Sequence, residues 1–193
     1  MRLDIVIIVT GTVLLVFLIF FYLSAFCMKE PDPKFENKKI VRAFQDGNAD
    51  EIYSFFDQYT GDRVYSISIV NSALAFNIPV PLFFGLCHSE SRFNFDAISK
   101  SNTNGTRDYG GFQLNSKTYE KYQKTELMDP LTNARLAAAH LARCYEKRGN
   151  WYEGLVIYNC GNIKNANQKS LKYLVDILRY ADRVERDFYN SGL

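Results

Sequence analysis

Cys87-His88-Ser89-Glu90-Ser91-Arg92-Phe93-Asn94 closes one of the most apolar stretches of the chain and puts a carboxylic acid at its end. Upstream of it, Val80, Leu82, Phe83, Phe84 and Leu86 form a run suited only to a protein interior. Pro81 predicts the start of a short helix there, because a proline in the first turn forfeits no hydrogen bond. Glu90 therefore ends a buried helix. A carboxyl at the rim of an apolar pocket is costly to ionise, so its pKa rises towards the range a general acid needs near neutral pH. Periodicity alone equally allows a helix-terminal glutamate that faces water.

Length and composition narrow the classes around this stretch. With 193 residues and 47% hydrophobic content the chain can bury one full core, so one globular domain is expected besides the first segment. The net charge of +2, with lysine and arginine scattered rather than clustered, argues against a nucleic-acid partner. Aromatic residues make up 15% of the chain; most belong in the core, although such rings also line carbohydrate sites. Cys27, Cys87, Cys144 and Cys160 lack the paired spacing of a zinc site and there are only two histidines, so neither a metal nor a cofactor is expected.

Residues 5–23 are apolar apart from Thr10, Gly11, Thr12 and Tyr22, and as a helix they would span about 28 Å, enough to cross a bilayer. A membrane anchor over residues 1–28 is the expectation. A cleaved signal peptide competes with it, but the apolar region is long and no small-x-small pair ends it. Cys27 would suit a lipoprotein signal, were Phe26 not too bulky before it. Residues 29–39, with Pro31 and Pro33, read as a stiff linker. Lys29, Lys34, Lys38 and Lys39 follow the apolar segment, so charge alone would place the domain on the cytoplasmic side.

The domain is expected over residues 40–193. Ile40, Val41, Phe44, Ile52, Phe55, Phe56 and Tyr59 recur at helical spacing around a break at Asp46-Gly47-Asn48. Residues 62–76 predict a central helix, apolar nearly all round. Residues 99–111 are rich in Ser, Asn, Thr, Asp and Gly; Asn104-Gly105 there predicts a two-residue hairpin turn and accounts for the match of Asn104-Gly105-Thr106 to a glycosylation sequon. Asp129-Pro130 starts a helix that stops at Gly149, and Asn150 caps a short one from Trp151. Residues 170–188 predict an amphipathic helix with Leu171, Leu174, Val175, Leu178, Ala181 and Val184 on one face. The fold class is mainly α with a small loop or β-hairpin lobe.

Several motifs, in one order over residues 62–182, resemble the soluble lytic transglycosylase domain, a lysozyme-like fold that cuts bacterial peptidoglycan. Glu90-Ser91-Arg92-Phe93-Asn94 is similar to its catalytic Glu-Ser-x-Phe-Asn, and Gly110-Gly111-Phe112-Gln113-Leu114 to its Gly-Leu-Met-Gln-Ile, with glycine and phenylalanine in place of leucine and methionine. Asp129-Pro130 with Asn133, followed by Leu141-Ala142-Arg143, resembles its Asp-Pro-x-x-Asn helix. Ile157-Tyr158-Asn159-Cys160-Gly161 resembles its Ala-Tyr-Asn-x-Gly.

The resemblance implies that Glu90 acts as both acid and base on the bond between N-acetylmuramic acid and N-acetylglucosamine, leaving a 1,6-anhydro end. It further implies that Ser91 and Tyr158 bond near the carboxyl or substrate, Phe112 packs on sugar, Gln113 holds a substrate amide and Asn159 fixes its loop. Asp108, just before Tyr109-Gly110, stands where animal lysozymes and some specialised, secretion-associated transglycosylases carry a second carboxylate. It would allow retaining hydrolysis by a muramidase, whereas locally it reads as a turn residue. His88 and His140 read as packing residues, and Cys87 with Cys160 as a candidate disulfide near the cleft. The implied partners are glycan strands, the inner membrane through the first segment, and cell-wall or secretion machinery. A murein substrate would place the domain in the periplasm, against the charge rule. A catalytically silent peptidoglycan-binding module is the third alternative.

Overall fold

Helix starts in this chain are written in its side chains, and the computed structural model, which describes residues 36–193, shows them made. The Asp62 carboxylate accepts from the Val64 and Tyr65 backbone N–H groups at 2.7 and 3.1 Å. Asp129 does the same for Thr132 at 2.8 Å, Asn150 for Tyr152 at 2.8 Å, and Asn167 for Lys169 at 2.9 Å. Each satisfies a donor that the first turn leaves without a partner. The elements that follow are α1 (Lys38–Gln45), α2 (Ala49–Thr60), α3 (Arg63–Ala75), α4 (Val80–Ser91), β1 (Asp108–Tyr109), β2 (Leu114–Asn115), α5 (Lys124–Met128), α6 (Pro130–Glu146), α7 (Trp151–Cys160) and α8 (Gln168–Asn190), with a 3-10 turn at Ile163–Asn165. The expected membrane segment and most of the linker lie outside the described residues. Helix α1 begins at Lys38, and Asn37 before it clamps the start of α4, donating to Ile78 O and accepting from Val80 N–H, both at 2.8 Å.

Helix α4 is the centre of the core: Val80 through Cys87 are all buried. Phe83 stacks on Phe112 at 4.3 Å and Phe84 on Phe56 at 4.6 Å. Helix α3 is less apolar inside than its composition suggests, since Val64 is exposed while Ser66, Ser68 and Ser72 are buried. The buried hydroxyls of Ser66 and Ser68 donate back to Asp62 O and Val64 O, at 3.2 and 2.7 Å, which keeps them satisfied inside the helix.

Two expectations are corrected. Strands β1 and β2 pair antiparallel with Asp108 opposite Asn115 and Tyr109 opposite Leu114, so the hairpin turns through residues 110–113. Asn104-Gly105 instead closes a separate loop, in which Asn102 N–H donates to Thr106 O at 2.7 Å. On α8 the buried stripe is Ser170, Ile177, Ala181, Val184 and Phe188, whereas Leu171 and Val175 are 57% and 43% exposed. The stripe is set by Gly85 of α4. A Cβ there would lie 2.5 Å from Ile177 O, so the glycine lets the backbone of α8 lie directly on α4.

Gly85→Ala is expected to force these helices apart and lower stability by about 2–4 kcal/mol, a size seen when a packed contact is broken. Urea unfolding of the variant within 0.5 kcal/mol of the parent would show that the approach is not tight.

Candidate active site

Because α8 lies so close, Tyr173 reaches the end of α4, and its hydroxyl donates a short hydrogen bond to Glu90 Oε1. Burial pushes the Glu90 carboxyl from 4.5 up to about 7; the Tyr173 bond pulls it down and the negative charge of Asp108 pushes it up. Desolvation is the largest of the three, so the acid is held half-protonated near neutral pH. Directly after it, Arg92 and Phe93 both take left-handed backbone conformations, with φ of 56° and 64°. Strain at two consecutive non-glycine residues marks the sharp exit from the helix that leaves Glu90 at its rim.

Asp108 sits on β1 with its carboxylate in a polar cradle. Asn115 Nδ2 donates to Oδ1 at 2.8 Å and Asn102 Nδ2 to Oδ2 at 3.2 Å. The residue thus ties the 102–106 loop to β2 from within a strand rather than from a turn, while its charge is felt at Glu90. The hairpin turn is positioned from α6 by the fully buried Asn133. Its Oδ1 accepts from Phe112 N–H at 2.9 Å, and its Nδ2 donates to Tyr109 O at 2.9 Å and Leu127 O at 2.6 Å. Gly110, at φ 74°, must lack a Cβ, which would sit 2.4 Å from the Asn133 amide; at Gly111 a Cβ would strike the Phe95 ring at 2.7 Å.

Tyr158 of α7 donates to Phe112 O at 3.1 Å and packs edge-on against His140 at 5.0 Å. Burial, then the charge of Glu90, pushes its hydroxyl up. Gln113 turns back on its own hairpin, with Nε2 donating to Gly110 O at 2.8 Å, which leaves its amide oxygen for a ligand. Gln113, Asn115, Tyr119, His140 and Tyr158 line a cavity of about 120 Å³. Polar groups and aromatic faces together suit a sugar ring.

The structure therefore gathers Glu90, Asp108, Gln113 and Tyr158, and departs from sequence expectation at Phe112, Asn159 and the Cys87–Cys160 pair. Phe112 is fully buried against Phe83 and presents no face to sugar. Ser91, next to Glu90, donates back along α4 to Cys87 O at 3.5 Å. Asn159 is exposed and fixes nothing; its loop is closed by Asn165, which donates to Cys160 O at 3.2 Å. Cys87, Cys144 and Cys160 are all free thiols, so the candidate Cys87–Cys160 disulfide is absent. Among the described residues no three His, Cys, Asp or Glu side chains converge to hold a metal ion. Tyr173 lies outside the apolar stripe that periodicity picks out over residues 170–188; the spacing from Ser170 through Ile177 and Ala181 includes it.

The family model described as the transglycosylase SLT domain matches residues 68–179, more than half of the chain. No curated protein matches the chain.

Two substitutions should move the acid in opposite directions. Tyr173→Phe removes the interaction that lowers the Glu90 pKa, so the alkaline limb of the pH–rate profile should shift upward. Asp108→Asn removes a charge that raises it, so the limb should shift downward. Shifts of the same sign in kcat/KM profiles would contradict this electrostatic assignment.

Proposed function

Since the chain belongs to the transglycosylase SLT domain family, whose substrate is peptidoglycan, we propose that it is a lytic transglycosylase with Glu90 as its acid and base. The observation that carries the reading is the half-buried Glu90, held through one carboxyl oxygen by Tyr173 and pushed up to about 7. A group with that pKa can give and then take a proton at neutral pH.

With Oε1 engaged by Tyr173, the other carboxyl oxygen carries the working proton. Glu90 hands it to the glycosidic oxygen leaving C1 of N-acetylmuramic acid. The resulting carboxylate then takes the proton of that sugar's 6-hydroxyl as the 6-oxygen bonds to C1, which closes the 1,6-anhydro ring and restores the acid. The attacking oxygen is tethered to the ring it attacks, so the step needs no positioned water. The free Gln113 oxygen and the polar wall of the adjacent cavity orient the strand.

Muramidase activity is the second reading, favoured by Asp108: two amide donors solvate its carboxylate and its charge reaches Glu90. There, Asp108 would stabilise or attack the anomeric carbon and water would open the intermediate. Mass spectrometry of digested peptidoglycan separates the two, with anhydro ends expected here and reducing ends supporting the hydrolase. Glu90→Gln should abolish either product; undiminished cleavage would remove Glu90 from the mechanism and leave a binding module as the better account.

The apolar residues 5–23 support a single-pass anchor in the inner membrane, with the domain in the periplasm where murein lies. Cell-wall or secretion machinery of that compartment would be its partner. Fusions of compartment-specific reporters to the C-terminus should report the periplasmic side; signal only from the cytoplasmic side would overturn the placement.

A further inference from the structure

Two polar atoms on the wall of the 120 Å³ cavity have no partner among the described residues, and they are of opposite kinds. Gln113 uses its Nε2 twice, donating to Gly110 O at 2.8 Å and to Ala97 O at 3.4 Å. Two carbonyls around one end of the amide fix which end is nitrogen, so Oε1 is the free end and an acceptor. The backbone of Gln113 is left-handed, at φ 49°, a strained state that the hairpin turn imposes and that holds the side chain in this place.

His140 supplies the donor. The Tyr119 hydroxyl lies 3.4 Å from His140 Nδ1 and 3.5 Å from Leu136 O. Leu136 O, four residues before His140 on α6, already receives the His140 backbone N–H, whereas Nδ1 has no other donor, so the hydroxyl proton goes to the ring. An accepting Nδ1 puts the ring's own proton on Nε2. Burial, then the charges of Arg143 and Lys147, push the His140 pKa down, which keeps the ring neutral.

Leu114 and the rings of Tyr119 and Tyr158 give the cavity its apolar wall, and no carboxylate lines it. Its volume is well below the roughly 300–1,000 Å³ that encloses a whole small ligand, so it takes one substituent of a ring lying across its mouth. It also belongs to the site of Glu90. Tyr158 feels the charge of Glu90, and Asn115, on the same wall, holds Asp108 Oδ1 at 2.8 Å.

We propose that this cavity takes the N-acetyl group of an amino sugar beside the cleaved bond, and that His140 is the residue that makes the chain select acetylated strands over strands with a free amine. The inference rests on the peptidoglycan reading above. An acetamido group has one N–H for Gln113 Oε1, one carbonyl for His140 Nε2–H and one methyl for the apolar wall. A free ammonium in its place would find one acceptor for three donors, would leave His140 unpaired, and would meet no counter-charge on the wall.

The test uses the full chain in detergent carrying Glu90→Gln, so that binding is read without turnover. Calorimetry compares soluble peptidoglycan glycan strands before and after chemical de-N-acetylation, and again after the amines are re-acetylated with acetic anhydride. De-N-acetylation is expected to weaken binding about tenfold or more, and re-acetylation to restore it. His140→Phe keeps a ring against Tyr158 and loses the donor; it should weaken binding of acetylated strands about fivefold and leave that of de-N-acetylated strands unchanged. His140→Gln, whose amide can donate, should recover part of the loss. Equal affinity for the two kinds of strand, a loss that re-acetylation does not reverse, or a His140→Phe variant that weakens both equally would each overturn the proposal. Failure of the unsubstituted chain to cleave acetylated strands would instead defeat the transglycosylase reading, while the binding comparison still decides this one.

Discussion

The contact between Tyr173 and Glu90 is a compromise between two opposed demands, and the helices around it are arranged to meet both. An ionised carboxylate in an apolar surrounding is expensive; one fully solvated would be too strong an acid to be protonated at neutral pH. A single phenol donor offsets part of the desolvation without removing it, which leaves the pKa near 7. That donor arrives only because α8 packs on α4 through a glycine, with Ile177 O where a side chain would otherwise stand. Thus the chemistry at the end of α4 depends on the absence of one methyl group, Gly85, in its middle.

The second carboxylate is placed by a different chain of causes. Asp129 and Pro130 start α6, and one turn later Asn133 engages three backbone groups of the hairpin and its neighbour. Gly110 makes room for that amide, β1 follows from the turn, and Asp108 rides on β1. Glu90 and Asp108 therefore belong to separately braced elements, one held by helix packing and the other by a buried amide.

How much of this was legible in the sequence depends on the range of the physics involved. Caps act within three residues, so the starts at Asp62, Asp129 and Asn150 could be read directly. Ordered motifs also pointed to Glu90, Gln113 and Tyr158. Asn104-Gly105 misled because a favourable local turn does not say which strands will pair, and pairing was settled by Asn133 from another helix. Phe112 looked like a sugar platform by position in its motif; its place in the core depends on Phe83, a residue on α4 that meets it only after folding. Tyr173 was hidden for the same reason, since the face of α8 that turns inward is chosen by Gly85.

The three free thiols shift the work of holding the domain together onto other contacts. Lysozyme-like domains stapled by disulfides need an oxidising environment to reach full stability. Here the described residues are organised by aromatic stacking, side-chain caps and buried amides, none of which responds to redox poise. Cys87 is fully buried and its thiol is pushed well up by burial, so it resists becoming the thiolate that oxidants and exchange partners attack. The described fold is thus held together with no cross-link between Cys87, Cys144 and Cys160, and its stability rests on packing and hydrogen bonds alone.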